Sequence, residues 1–149
     1  MSEGINTSAP VLGQSEIEIA ARPELVWEVL TTIERWPDWN PAVKKVSMRD
    51  GLAPGSTFRW KAGPGTITST LQRVERPRVI AWAGRTFGIK ANHVYTLEPR
   101  DGKPLVTTEE SYDGLVSRLF RRPLQKTLDR AFAEGLGYLK AEAERRSAR

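Results

Sequence analysis

The stretch Pro123–Ala143, PLQKTLDRAFAEGLGYLKAEA, decides the fold. Leu124, Leu128, Ala131, Phe132, Gly135, Leu139 and Ala143 recur at three- and four-residue spacing, which puts them on one face of a helix. Lys126, Asp129, Arg130, Glu134 and Lys140 take the remaining positions, so the spacing predicts a long amphipathic helix with its apolar stripe laid on another part of the chain. Pro123 suits the first helical position, and the segment from Leu115 leads into it. Ala131 and Gly135 are small residues in mid-stripe, although a glycine inside a helix costs about 1 kcal/mol relative to alanine. Either a strand approaches closely there or the position borders a cavity, and glycine alone does not separate the two.

Upstream of the helix, period-two alternation and turn residues predict what it packs against. The Asp101–Gly102 dipeptide is a favoured hairpin turn, and it sets Leu97 opposite Val106, Tyr95 opposite Thr108, His93 opposite Glu110 and Ala91 opposite Tyr112. A turn at Arg76–Pro77 sets Leu71 opposite Trp82. A turn at Pro64–Gly65 sets Ala62 opposite Ile67, Trp60 opposite Ser69 and Phe58 opposite Leu71. All these residues then share one face, leaving Arg59, Lys61, Thr68, Thr70, Thr107, Glu109 and Ser111 on the other. The join from Trp82 to Ile89 admits several loop lengths, so the continuity of the face there is an assumption. Earlier in the chain, Ser15–Ala21 alternates glutamate with isoleucine as a first strand, and Pro23 opens a short helix through Leu30. Ile33–Pro41, IERWPDWNP, has two prolines that forbid a continuous helix and two tryptophans that make it a packed corner. Val43–Met48 is a second strand, ended by the loop Asp50–Ser56. The expected architecture is α+β: a curved antiparallel sheet wrapped around the long C-terminal helix. Residues 1–14 are expected to be a disordered or extended segment, and residues 15–149 one domain.

Composition excludes several chemistries. With no cysteine and a single histidine among 149 residues, the chain offers no disulfide, no thiolate and no His/Cys cluster for zinc or iron, so no metal and no cofactor is expected, with carboxylate-bound magnesium the open alternative. The start carries no apolar run of secretory length, and nothing approaches the roughly 18 apolar residues of a membrane span. A soluble, cytoplasmic protein is expected. The formal charge of +5 gathers partly in Arg118, Arg121, Arg122, Lys126 and Arg130, but no aromatic residues interleave with these, which argues against nucleic acid and is met equally by a solvated helix face. There is no G-x-S-x-G, no P-loop, no dinucleotide glycine pattern and no defensible pair of catalytic carboxylates.

The inner face nevertheless holds Ser69, His93, Tyr95, Thr108, Glu110 and Tyr112 among its apolar residues, too polar a set for a plain core. A buried carboxylate costs free energy unless partnered, and the register supplies His93 for Glu110. Two readings stand. The polar groups satisfy one another inside the sheet, or they form the polar end of an apolar pocket for a small organic molecule, walled by Trp60, Trp82, Leu128, Ala131, Phe132 and Gly135. If chemistry occurs there, His93 and Glu110 are the acid/base pair.

The segment Glu16–Val46, EIEIAARPELVWEVLTTIERWPDWNPAVKKV, resembles the N-terminal signature of the polyketide cyclase/dehydrase and lipid-transport family of the SRPBCC superfamily, which includes START and birch-pollen-allergen-like domains. Asn92–Gly114, NHVYTLEPRDGKPLVTTEESYDG, and the closing helix resemble the usual ending of that family. The resemblance implies a helix-grip fold with two short helices closing one end, a cavity between sheet and helix, and Trp36 and Trp39 near its mouth. It implies a small hydrophobic ligand, lipid- or polyketide-like, held for carriage or sequestration, with a polyketide cyclase or dehydratase as the alternative.

Overall fold

The computed structural model describes residues 4–63 and 65–148. Seven strands form one antiparallel sheet: β1 (Val11–Glu18), β2 (Val43–Met48), β3 (Thr57–Ala62), β4 (Gly65–Glu75), β5 (Val79–Thr86), β6 (Ile89–Arg100) and β7 (Lys103–Asp113), in the order β1-β7-β6-β5-β4-β3-β2. Helix α1 (Pro23–Thr31), a 3-10 turn at Ile33–Arg35 and helix α2 (Trp36–Trp39) join β1 to β2. A short α3 (Leu115–Leu119) and the long α4 (Arg121–Ser147) follow β7. The sheet grips α4, the helix-grip arrangement.

The hairpins show how local chemistry sets register. Asp101 and Gly102 both have positive φ, and every pairing expected from that turn is present, from Leu97 opposite Val106 to Ala91 opposite Tyr112. The join left open between Trp82 and Ile89 is another two-residue turn, Phe87–Gly88, again with positive φ at both positions. Trp82 therefore pairs with His93, and the inner face runs on unbroken. In the β3–β4 hairpin the expected partners are displaced by two residues: Phe58 pairs with Ser69, Trp60 with Ile67 and Ala62 with Gly65. Pro64 lies outside the described residues. The turn is centred one position earlier than expected, with Gly63 in the left-handed region, and an even displacement leaves each side chain on its expected face. Leu71 does oppose Trp82, by compensation: the β4–β5 connection is one residue longer than a tight turn, and a bulge between Leu71 and Arg73 restores the pairing.

Two elements start at residues other than those expected. β1 starts at Val11 rather than Ser15, because Val11 is fully buried against Leu128 and Phe132. The residues before it lie on the outer sheet face, where the Asn6 backbone N–H donates to Ser111 Oγ (3.1 Å) and its side-chain amide donates to Asp113 Oδ2 (2.9 Å). Ser111, expected to be solvated, is buried. Helix α4 starts at Arg121, not Pro123. Phe120 breaks it from α3, and the proline falls within the first turn, where backbone N–H groups have no intrahelical acceptor to lose.

The apolar stripe of α4 is Leu128, Phe132, Leu136, Leu139 and Ala143. Leu136 belongs to it by the same spacing rule that found Phe132, whereas Ala131 is exposed and forms no part of a wall. Buried apolar side chains form two groups. The larger unites α1, α2, the sheet and Leu136, Leu139 and Ala143; the smaller is Val11, Leu128 and Phe132, flanked by Tyr112 and Leu124. The helix is tied to the start of the chain by Lys140 Nζ, which donates to the Glu18 carbonyl (3.0 Å), and by Glu144, whose carboxylate accepts from the Ala20 N–H (2.8 Å).

Candidate functional site

Three strands and one helix assemble the site. β5, β6 and β7 present Trp82, then His93 and Tyr95, then Thr108, Glu110 and Tyr112 to the inner face, because alternation in paired strands leaves them no other direction. Phe132 of α4 covers His93, with ring centroids 5.5 Å apart. Tyr95 stacks on the imidazole from the side (4.7 Å, 22°), and Trp82 completes the enclosure at 4.8 Å. His93 is buried, and its Nε2 lies 2.7 Å from Thr108 Oγ1 in a hydrogen bond. Nδ1 is 3.4 Å from Glu110 Oε2, beyond a normal hydrogen bond, and is buried without a hydrogen-bond partner.

The phenols have one protonation state at ordinary pH. Burial pushes the Tyr95 hydroxyl well above the usual phenol range, opposed by its hydrogen bond to Thr108 and reinforced by the Glu110 carboxylate. Burial does the same for Tyr112, with Glu110 again adding to it. Both tyrosines are therefore neutral donors beside an acidic side chain. The same burial has a consequence for stability. Above pH 10 the unfolded chain releases these protons and the folded chain retains them, so unfolding becomes easier by up to about 1.4 kcal/mol per pH unit for each tyrosine. Urea titrations between neutral pH and pH 11.5 are expected to show that fall, and Tyr95→Phe to make it shallower. A slope identical in the variant would remove Tyr95 from the effect.

Ser69 is fully buried and accepts from Trp60 Nε1 at 3.1 Å. Gly84, opposite it, gives the hydroxyl its room: a Cβ there would stand 2.7 Å from Ser69 Oγ. Trp39 is half-buried on the main core, and its indole nitrogen is buried without a partner. The neighbouring Trp36 is more deeply placed, meeting Phe58, Trp60 and Trp82 at centroid distances of 5.5 to 5.7 Å. The density of tryptophan in residues 36–39 signalled that packing, but nothing in the spacing distinguished the deeper of the two.

Gly135 answers the question raised by its sequence. It lies seven residues after Leu128 and four before Leu139, both fully buried, yet a Cβ added to it would meet nothing within 4 Å. No strand approaches it. The close approach is made at Gly13 on β1, where a Cβ would stand 2.8 Å from Leu128 and 3.1 Å from Phe132. Gly135 is half-buried, and α4 has room there for an added methyl one turn from Phe132. Two clefts lie outside the grip, one of 340 Å³ between α1 and the β2–β3 loop and one of 450 Å³ along Arg85–Lys90. Among the described residues no group of three His, Asp or Glu side chains is placed to hold a metal ion, and no helix is long and apolar enough to cross a membrane.

Known proteins with this architecture include a hypothetical protein from Helicobacter pylori (TM-score 0.83, 15% identity, covering 95% of this chain and 92% of that one). The Zhui aromatase/cyclase from Streptomyces sp. R1128 superposes with a TM-score of 0.75 at 20% identity, covering 91% of this chain and 94% of its own. A START superfamily protein from Mycobacterium smegmatis gives 0.76 at 15% identity, with 90% and 97% covered. At such identities the likeness is one of fold. No curated protein matches the chain by sequence. The sequence model of one family does match, over residues 12–144, a span that takes in β1, the tryptophan corner, the whole inner face and nearly all of α4. The chain belongs to the polyketide cyclase / dehydrase and lipid transport family.

Proposed function

We propose that the chain binds a small hydrophobic molecule with one polar end, in the space between the sheet and α4, and carries or sequesters it in the cytoplasm. The observation that carries this reading is the convergence of His93, Thr108, Tyr95 and Glu110 on an otherwise aromatic wall beneath Phe132 of α4. Apolar surroundings with a few convergent polar groups suit such a ligand. Tyr95 and Tyr112 would donate to a carbonyl or carboxylate head, and the aromatic side chains would cover the tail. Family membership supports a ligand-binding or cyclase role without choosing between them.

The second reading, a cyclase or dehydratase, draws on the 3.4 Å separation of His93 Nδ1 and Glu110 Oε2, in which the imidazole would take a proton and the carboxylate hold the resulting cation. One substitution separates the two readings. Long-chain fatty acids, sterols and linear polyketones are offered to the protein, with tryptophan fluorescence and thermal shift reporting binding and mass spectrometry reporting products. For a carrier, His93→Ala is expected to weaken binding of a ligand with a polar head by about 1 to 3 kcal/mol, with no product from the wild type. For a cyclase, binding is expected to survive while turnover falls by about 100-fold or more. We expect the first result, and product formation that disappears in His93→Ala would overturn it.

A further inference from the structure

Six large apolar side chains are exposed among the described residues, and the four most exposed gather at one end of the molecule: Phe87 (70% exposed), Leu115 (70%), Leu119 (68%) and Phe120 (55%), with Leu12 and Leu52 less exposed. Phe87 tips the β5–β6 hairpin, and the other three belong to α3 and its junction with α4. The two elements abut. A Cβ on Gly88 would stand 2.9 Å from Val116 of α3, and one on Gly114 would run into the Gly88 carbonyl. Phe87 is also an unexpected residue for its place. A two-residue turn with positive φ at both positions favours Asn-Gly, and a phenylalanine with φ of 44° pays steric strain there, its ring lying with one side over Gly65 of β4 and the rest exposed.

Cations flank these side chains in the sequence. Arg85 and Lys90 flank the hairpin tip, and Arg118, Arg121, Arg122 and Lys126 follow along α3 and the first turns of α4, with no Asp or Glu anywhere from Gly114 to Leu128. All six are exposed, and none has an ion-pair partner among the described residues. Their charge exceeds the net +5 of the entire chain, so the remainder is close to neutral.

We infer that this end of the molecule docks on an anionic lipid bilayer, with Phe87, Leu119 and Phe120 entering the headgroup boundary and the arginines pairing with lipid phosphates. The apolar groups stand at a hairpin tip and a helix corner, which suit shallow insertion, and the exposed cations on the same two elements complement an anionic surface. A protein partner would ask for a broad patch whose centre is poor in charge. The inference goes beyond ligand binding and is tested without any ligand, so its failure leaves that reading untouched.

The test is co-sedimentation of the full chain with vesicles of phosphatidylcholine alone or of equal parts phosphatidylcholine and phosphatidylglycerol. Binding is expected to the anionic vesicles only, and to fade as salt rises from about 50 to 500 mM. Arg121→Ala with Arg122→Ala is expected to weaken it about 30-fold, at roughly 1 kcal/mol per cation near the surface, while the Lys/Lys pair retains it. Phe87→Asn is expected to weaken it about tenfold without lowering the melting temperature, since asparagine suits a left-handed turn better than phenylalanine does. That combination separates membrane insertion from a merely structural role. Failure to bind anionic vesicles at low salt would overturn the inference, as would binding to both vesicles that ignores the arginine changes. Binding to soluble polyglutamate as tight as to vesicles, and indifferent to Phe87→Asn, would give the face to an acidic protein instead. A concentration-dependent dimer abolished by Leu119→Ser, without vesicle binding, would give it to a second copy of the chain.

Discussion

Trp36→Ala is expected to remove about 3 to 5 kcal/mol of folding stability, a large part of the roughly 5 to 15 kcal/mol a domain possesses. Three losses add at this position. The indole fills the space between Phe58, Trp60 and Trp82, approaching two of them edge-on, and truncation leaves a cavity that rings fixed on a sheet cannot close. Its Nε1 donates to the Leu30 carbonyl at 2.9 Å, one of the carbonyls that the end of α1 leaves without an intrahelical partner. The indole also pins α2 to the sheet and holds α1 through that bond. Trp36→Phe, which keeps a ring and loses the donor, is expected to retain most of the packing and cost far less. Urea unfolding followed by far-ultraviolet circular dichroism measures both. A loss below about 1 kcal/mol for the alanine variant would show that the corner is not part of the core.

Gly13→Val is expected to cost about 3 kcal/mol, and Gly135→Ala to stabilise by up to about 1 kcal/mol. The opposite signs follow from what each added atom would touch. At Gly13 even a Cβ meets the Leu128 side chain at 2.8 Å and the Phe132 ring at 3.1 Å, so valine must lift α4 from β1 or force both side chains out of their rotamers. At Gly135 an added methyl meets nothing and removes the entropy penalty of glycine in a helix. Lifting α4 would also uncover His93, which Phe132 roofs, so Gly13→Val is expected to raise the exposure of the imidazole, measurable by its reaction with diethyl pyrocarbonate. Equal and small effects at the two glycines would mean that the helix sits farther from β1 than the structure places it.

Much of the candidate site was legible before the fold was known. A dipeptide such as Asp101–Gly102 dictates its own hairpin, and strict alternation then carries that register outward, so His93 facing Glu110 follows from local chemistry alone. The β3–β4 pairing was displaced by two residues and still placed Trp60 and Ser69 on the correct face, because a face depends only on parity. The bulge between Leu71 and Arg73 has no turn residue to signal it. It left Leu71 opposite Trp82 only because the neighbouring connection is longer by the same amount.

What the sequence by itself determined was periodicity: the seven strands, the broken corner at Ile33–Pro41, the amphipathic final helix, and the polar residues that share a face with the tryptophans. These follow from interactions between residues near in the chain or paired through a tight turn. What only the tertiary structure decided was distance between elements remote in sequence. That Gly13 rather than Gly135 is the point of contact, that Leu136 and not Ala131 faces the sheet, that Trp36 lies deeper than Trp39, and that residues before Val11 cover Ser111 all depend on how α4 and the N-terminal segment settle on the sheet. The physical reason is that packing is set by the summed shapes of side chains brought together from distant positions, and no local pattern encodes that sum.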